Sequence, residues 1–336
     1  MRLSVEDAQS LSQRALAGLG YSAEQAAMIA DHLVLNAMSG YSFAGLPRIL
    51  AIKDAKERTL PTQDLRIVSE TPVSLQLDGG NQVAYIALTQ AVDLVLEKLK
   101  LSRVCLMSMG NSWYAGRSFN YVEKLGRAGY AALLFISGPP LVAPHGAAKP
   151  LFGTNPICVA FPIDPDPIIV DLGTSAAMAG EVFLHAMLGK EMPPGVGMGP
   201  DGLPTQNAAE IVKGAILPLA GHKGSALSFA VQALGLFGAT VLPQDRRDGF
   251  GYLLLAFDPT LLCPREAFVT ALAELREKIV QLPRAPGFES IEVPSDRTYR
   301  NRRNAQAGIE VDSDVVRRLE VLAEASSGNV EAVPIG

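Results

Sequence analysis

The chain has 336 residues, with 29 Lys plus Arg against 34 Asp plus Glu, for a formal net charge of −5. That length corresponds to about two domains or one large one. No basic excess is present to recruit nucleic acid, and a hydrophobic share of 48% against 19% charged residues excludes disorder over most of the chain.

In chain order, the first twenty residues carry Glu6 and Asp7 in place of a basic cluster ahead of an apolar block, so they do not read as a signal peptide. Ser4 with Asp7 and Ser22 with Gln25 each fit the capping-box pattern. Val5, Ala8, Leu11 and Ala15, then Met28, Ile29, Leu33 and Ala37, give two helices within 4–38 an apolar stripe each. Residues 39–50, SGYSFAGLPRIL, read as a Gly-interrupted turn entering an apolar run. A loop with Pro61 and Pro72 precedes a long amphipathic helix over 84–100. Strands are expected at 103–108, 130–137, 157–162 and 168–171, with a helical segment near 117–128. Helices follow at 175–188 and 224–236, then a strand at 251–257 and a helix at 264–282. The tail reads as helix 296–305, a short strand from Ile309 to Val311, a closing helix from Asp312, and a frayed end after it. The fold class is mixed α/β.

Residues 224–244 carry no charge over about the length of a spanning helix. Ser225, Ser228 and Gln232, with the breakers Gly235, Gly238 and Pro243, leave an apolar run of only about ten residues, typical of a buried core helix. No membrane partner is expected. Cys105, Cys158 and Cys263 are far apart and lie in or beside apolar runs, which suits thiols in a reducing compartment, so the cytoplasm is expected. No two of His32, His145, His185 and His222 share the i, i+4 spacing of a helical metal site, and no protein-held metal is expected.

A dinucleotide fingerprint is absent, because Gly18-Leu-Gly20-Tyr-Ser-Ala23 lies between two helices and not after a strand. Three segments offer groups to an anion instead. Gly173-Thr174-Ser175 follows the strand ending at Asp171 and opens the next predicted helix, with a plain N-cap as the alternative. His222-Lys223 sits between two glycines at the start of an apolar helix. Arg297, Arg300, Arg302 and Arg303 cluster in one short segment, as a solvated helix face or a phosphate site. PHGAAKPLFGTNP at 144–156 is too specific for a generic loop.

Together, PHGAAKPLFGTNP, VDLGTSAAMAGEV, GPDGLPTQ and LPLAGHKGSALS resemble the corresponding blocks of the malate/L-lactate dehydrogenase family, the non-Rossmann NAD(P)-dependent oxidoreductases that include sulfolactate and ureidoglycolate dehydrogenases. PLFGTNP with DGLPTQ and GHKGSALS is most similar to the delta-1-piperideine-2-carboxylate/delta-1-pyrroline-2-carboxylate reductases in that family. The resemblance runs from about residue 4 to 325. It implies a homodimer whose subunit has a large mixed-sheet cofactor domain, here 76–284, and a helical domain from both chain ends, here 1–75 with 285–336. It also implies NADPH or NADH as cofactor. Ser112, Trp113, Tyr114, Ala115, Gly116, Thr174, Ser175, His222, Lys223, Asp296 and Arg297 fall on cofactor-binding segments, Arg48 on the substrate-carboxylate arginine, and Thr154 on a substrate-contacting threonine.

The departures are chemical. Family members carry Ser-His-Gly just before that arginine, with the His as acid. Aligned without gaps on Gly40 and Arg48, this chain has Phe43-Ala44-Gly45, while the relay aspartate falls on Glu181 and the cofactor-loop His pair on Ser112-Trp113. Hydride addition to a ketone builds charge on oxygen, and losing the acid there costs about 10²–10⁴-fold. A protonated imine builds no such anion. The expected reaction is therefore reduction of a cyclic or N-substituted imino acid, with Glu181 and His145 as candidate proton donors and Phe43 and Trp113 enlarging an apolar pocket. Two other readings stand beside it: a ligand-binding member without redox turnover, and a 2-hydroxy-acid dehydrogenase with a relocated acid.

Overall fold

The computed structural model describes residues 1–56, 61–239 and 250–325. The chain runs through β1 (Arg2–Leu3), α1 (Val5–Gly18), α2 (Ala23–Met38), α3 (Arg48–Lys56), β2 (Arg66–Thr71), β3 (Ser74–Val83), α4 (Ala84–Ser102), β4 (Val104–Trp113), α5 (Phe119–Arg127) and β5 (Ala131–Ser137). It continues with β6 (Ile157–Phe161), β7 (Ile168–Leu172), α6 (Ala179–Met187), β8 (Gly197–Met198), β9 (Pro204–Thr205), α7 (Ala208–Lys213), β10 (Ala215–Ile216), α8 (His222–Gly235) and β11 (Gly251–Phe257). The last elements are α9 (Arg265–Val280), α10 (Asp296–Asn304), β12 (Ile309–Glu310) and α11 (Ser313–Ala325).

Two compact units result: a helical one from Met1–Thr62, Tyr114–Arg117 and Thr298–Gly336, and a sheet one from Gln63–Trp113 and Ser118–Arg297. Residues 63–75 and 285–297 thus fall in the sheet unit, not in the helical domain where the resemblance puts them. The reason is local: β2 is an edge strand on β3, and Ser295 accepts a hydrogen bond from Ile169 N at 3.2 Å.

In the helical unit, α1 packs on α2, α3 and α11. Ser22 forms the full capping box with Gln25, whereas at Ser4 the Asp7 carboxylate takes the serine hydroxyl, so only half of the expected box is made. Ile29, Leu33, Leu46, Ile49 and Ile52 have no exposed surface, so the apolar run after Gly40 is core and continues as a helix, α3. β1 and β12 pair antiparallel, joining the two ends of this unit.

The sheet unit is built on a seven-stranded sheet in the order β2-β3-β4-β11-β5-β6-β7. Only β3 and β4 run parallel, which demands a crossover, and α4 supplies it. The β2–β3 hairpin, with Pro72 in its turn, was not among the expected elements; every residue of β2 is exposed, so no burial pattern marks it. β4 extends five residues beyond the expected strand, to Trp113. A second sheet, in the order β10-β8-β9, is made of two-residue strands too short for any periodicity.

Two expectations about helices fail. Residues 175–178 are not helical; α6 starts at Ala179 because Thr174 N and Ala176 N bond to Thr154 O and Leu217 O. Nor is α8 a buried core helix. Its inward face is Gly224, Ser228, Val231, Gln232 and Gly235, while Leu227, Phe229 and Phe237 just beyond its end are exposed at 41%, 67% and 64%. Gly235 explains the seating: a Cβ there would lie 1.9 Å from Ser137 Oγ, so a flat small-residue face brings the helix backbone onto β5 and β11. Pro243 and the expected frayed end lie outside the described residues. No helix among the described residues is long and apolar enough to cross a membrane.

Candidate functional site

In the helical unit the turn Gly40–Arg48 is fixed by α2. Asn36 Nδ2 donates to Ala44 O at 3.0 Å, and Gly45 approaches α2 so closely that a Cβ would sit 3.0 Å from that of Ala37. Ala44 is buried, and Phe43 is half-buried with its ring edge-on to Tyr41, centroids 6.1 Å apart. Two arginines lie over aromatic faces: Arg48 over Tyr114 at 4.7 Å and Arg117 over Tyr41 at 4.0 Å. Tyr114 takes a left-handed backbone, φ 49°, as does Gly116 two residues on, φ 66°, with buried Ala115 between them. No carboxylate among the described residues pairs with Arg48. A guanidinium pre-set on a ring with no acidic partner is suited to bidentate capture of a carboxylate.

His32 on α2 is the one histidine in this unit, and sequence reasoning gave it no role. Full burial, with Arg117 and Arg302 nearby, drives its pKa down to about 3. Its imidazole is therefore neutral and cannot replace the missing acid at neutral pH. Arg302 donates to Ser39 Oγ at 2.8 Å, and Asn301 Nδ2 donates to Ser39 O at 3.0 Å, so this part of the arginine cluster ties α10 to the end of α2.

In the sheet unit, α8 begins at an unusual cap. Gly221 has φ 63° and ψ −121°, and a Cβ on it would lie 3.5 Å from the His145 ring. His145 N donates to Ser225 Oγ at 3.1 Å, and the His145 and His222 ring centroids are 6.1 Å apart. His145, His222 and Lys223 are all exposed, and the amides of His222 and Lys223 meet no backbone acceptor among the described residues. Two open amides, the helix dipole and a Lys on the first turn make this the best anion cradle in the unit, and it fits a cofactor phosphate.

The GTNP turn is locked from beneath. Asn155, at φ 40° and 1% exposure, accepts from Gly138 N at 3.2 Å and donates to Ser228 O at 2.9 Å and Gln232 Oε1 at 3.1 Å. Thr174 is fully buried, with its hydroxyl against Thr154 O at 3.2 Å and Ser228 Oγ at 2.7 Å. Thr154 itself is half-exposed, and its hydroxyl has no partner among the described residues. This network is what the unusual 144–156 sequence encodes: small and amide residues that hold one threonine at the start of α8's inward face.

Other expected residues have structural occupations. Gly173-Thr174-Ser175 is no helix N-terminus, its Thr174 amide is already bonded, and Ser175 Oγ donates to Ala177 O at 2.7 Å. Ser112 Oγ donates to Gln82 O at 2.8 Å and Trp113 Nε1 to Asn81 O at 2.9 Å, stitching β3 to β4. Trp113 is 5% exposed, so its ring packs inside the sheet unit and presents little apolar surface to a pocket. Asp296 accepts from Arg276 at 2.8 Å and from Val293 N at 3.2 Å, while Arg297 is exposed. Glu181 lies in the first turn of α6, half-exposed, and no hydrogen bond or ion pair joins it to His145. Among the described residues no group of three or more His, Cys, Asp or Glu could hold a metal.

A large, mostly antiparallel mixed sheet flanked by helices is the fold this chain shares with solved malate/lactate dehydrogenase-like structures. The delta1-piperideine-2-carboxylate reductase structure from Pseudomonas syringae superposes with a TM-score of 0.79 at 29% identity, covering 96% of this chain and 99% of that one. The model of the malate/L-lactate dehydrogenase family matches residues 3–320, and this chain belongs to that family. It is 34% identical over 262 residues to a Delta(1)-pyrroline-2-carboxylate/Delta(1)-piperideine-2-carboxylate reductase of Pseudomonas syringae pv. tomato, with 74% of each chain covered. It is 28% identical to a malate/(S)-sulfolactate dehydrogenase of Methanothermus fervidus, over 96% of this chain and 98% of that one. These relatives are named for imine reduction and for hydroxy-acid oxidation alike.

Proposed function

We propose that this chain reduces the C=N bond of a cyclic or N-substituted imino acid, with NADPH as hydride donor and NADH as the alternative, and that it does so as a cytoplasmic homodimer. The observation that carries this reading is a combination: Arg48 is kept with no acidic partner, while position 44, where the family has its acidic His, holds a buried methyl whose carbonyl is already bonded by Asn36. Reduced nicotinamide, when bound, supplies the hydride. Arg48 holds the substrate carboxylate through two parallel N–H···O bonds, and the free Thr154 hydroxyl contacts the substrate. The His222 and Lys223 amides and the Lys223 ammonium hold a cofactor phosphate, with the 112–116 segment, Ser175, Asp296 and Arg297 as further cofactor-side residues. Thr174 serves by fixing Thr154.

The proton balance favours the imine. A protonated C=N accepts hydride at carbon, its π pair returns to nitrogen, and a neutral amine forms with no proton required from the protein. Water, Glu181 or His145 then protonates the amine. A carbonyl substrate would instead leave an alkoxide with no acid at position 44.

The test follows NADPH absorbance with Δ1-piperideine-2-carboxylate, and NAD⁺ reduction with malate and sulfolactate. Turnover of the imine, with hydroxy-acid oxidation at least about 10²-fold slower, is the expected result. NADPH binding without turnover on any cyclic or N-methyl imine overturns it in favour of the non-redox reading, which the Phe43-Ala44 replacement also supports. Efficient malate oxidation overturns it in favour of a relocated acid.

A further inference from the structure

The helical unit sets three aromatic rings at the Gly40–Arg48 turn: Tyr41 and Phe43 within it, and Tyr114 against Arg48. Two of the three carry a cation. Arg48 lies 4.7 Å over the Tyr114 centroid, and Arg117 lies 4.0 Å over that of Tyr41. No guanidinium among the described residues covers the Phe43 ring, whose aromatic contact is the edge-on packing with Tyr41. Phe43 is half-buried, so part of the side chain stays open to a ligand. A phenyl ring offers that ligand no donor and no acceptor. It presents apolar area and the negative face of its quadrupole, which attracts a cation within about 6 Å of the centroid.

The charges along the same stretch of chain are one-sided. An ordinary counter-charge for a cationic nitrogen is a carboxylate, and neither residues 32–53 nor Tyr114–Arg117 contain an Asp or Glu. The buried methyl of Ala44 sets no like charge beside the substrate, as a protonated His at that position would.

We propose that Phe43 reads positive charge on the substrate's nitrogen. Arg48 takes the carboxylate and the ring face of Phe43 takes the iminium, so the site selects an α-carboxylate joined to a cationic, carbon-substituted nitrogen. The proposal rests on the imino-acid reading above and adds the charge state that the site prefers. In such a substrate the carboxylate and the nitrogen sit on the same carbon. Their two receivers lie five residues apart on one turn, pinned to α2 by the bond from Asn36 Nδ2 to Ala44 O and by the close approach of Gly45. A ketone of the same shape carries no charge at that place and gains nothing from the ring beyond apolar contact. Hydride arrival discharges the nitrogen, so the contact acts on binding, and a binding measurement tests it.

The probes are pipecolate, whose ring nitrogen is a cation at neutral pH, and cyclohexanecarboxylate, the same ring with carbon in that place. In calorimetric titrations of the full chain, which need no turnover, the wild type is expected to bind pipecolate the more tightly. Phe43→Leu should weaken pipecolate about tenfold and cyclohexanecarboxylate less than about twofold, whereas Phe43→Tyr should leave both near the wild-type values. Phe43→Met repeats the comparison should the Leu variant not fold. Equal losses for the two probes reduce Phe43 to an apolar wall and overturn the proposal. No loss for either probe, or a wild type that binds neither or favours cyclohexanecarboxylate, overturns it as well. Imine turnover is read apart, in the NADPH assay. A chain that discriminates the probes through Phe43 but reduces no imine overturns the reaction and keeps the charge selection, while turnover with equal losses does the reverse.

Discussion

Arg48 is where a single side chain should decide the most. With its guanidinium over Tyr114 and no carboxylate beside it, a charge-assisted pair to substrate is worth about 1.5–3 kcal/mol, so Arg48→Ala should lower kcat/KM on an imino acid by about 10–100-fold. Arg48→Lys should recover only part of that, because a point charge does not reproduce the planar fork; steady-state kinetics check both. Position 44 makes the opposite experiment possible. Restoring the family's groups with Phe43→Ser, Ala44→His and Glu181→Asp should raise malate or lactate oxidation by NAD⁺ at least about tenfold over the parent chain. His32 gives a pH signature instead. Its folded pKa of about 3 lies below the ordinary 6.5, so between those values the unfolded chain binds a proton that the folded one excludes. Stability from this group is complete above pH 6.5 and falls by about 1.4 kcal/mol per unit as the pH drops below it. Urea melts from pH 7.5 to 4.5 should show that slope, and His32→Gln should flatten it.

The elements differ in how openly the sequence announces them. The Ser22 box, the α4 stripe and the β5 and β11 apolar runs were readable because local pattern and burial agree there. The opening of α6 misled because Gly-Thr-Ser is written like an N-terminus, while the Thr174 amide is claimed by Thr154 O, 20 residues earlier in the chain. α8 misled in the other direction. Hydrophobicity alone suggests burial, but the inward face is chosen by close approach: Gly235 and Gly251 back onto one another, and a Cβ on Gly251 would lie 2.1 Å from Gly235 O. Gly235→Ala should therefore cost about 1–3 kcal/mol by overpacking, read as a lower urea midpoint with an unchanged slope. Arg48, Thr154, His222 and Lys223 enter as candidates through the family resemblance. Asn155 was visible only as part of an odd run, and its role, joining Gly138, Ser228 and Gln232, needs three distant segments in contact. On the proposed reading, Lys223→Ala at the start of α8 should weaken NADPH binding about tenfold by calorimetry, with little effect on Tm because the side chain is exposed.

For the whole molecule, the large sheet is completed by a strand that comes late in the chain. The order of the large sheet has a further consequence, for how the chain is made. β11 lies between β4 and β5 and bonds to both, yet it is translated on the order of a hundred residues after β5. Until Gly251–Phe257 leaves the ribosome, roughly 5–20 s after β5, the nascent chain carries two unsatisfied strand edges of apolar sequence, open to mispairing with each other or with another nascent chain. Synthesis of this chain should thus be most sensitive to chaperone depletion in that interval, and truncations ending before β11 should aggregate, whereas those ending after Phe257 should show the first protease-resistant sheet.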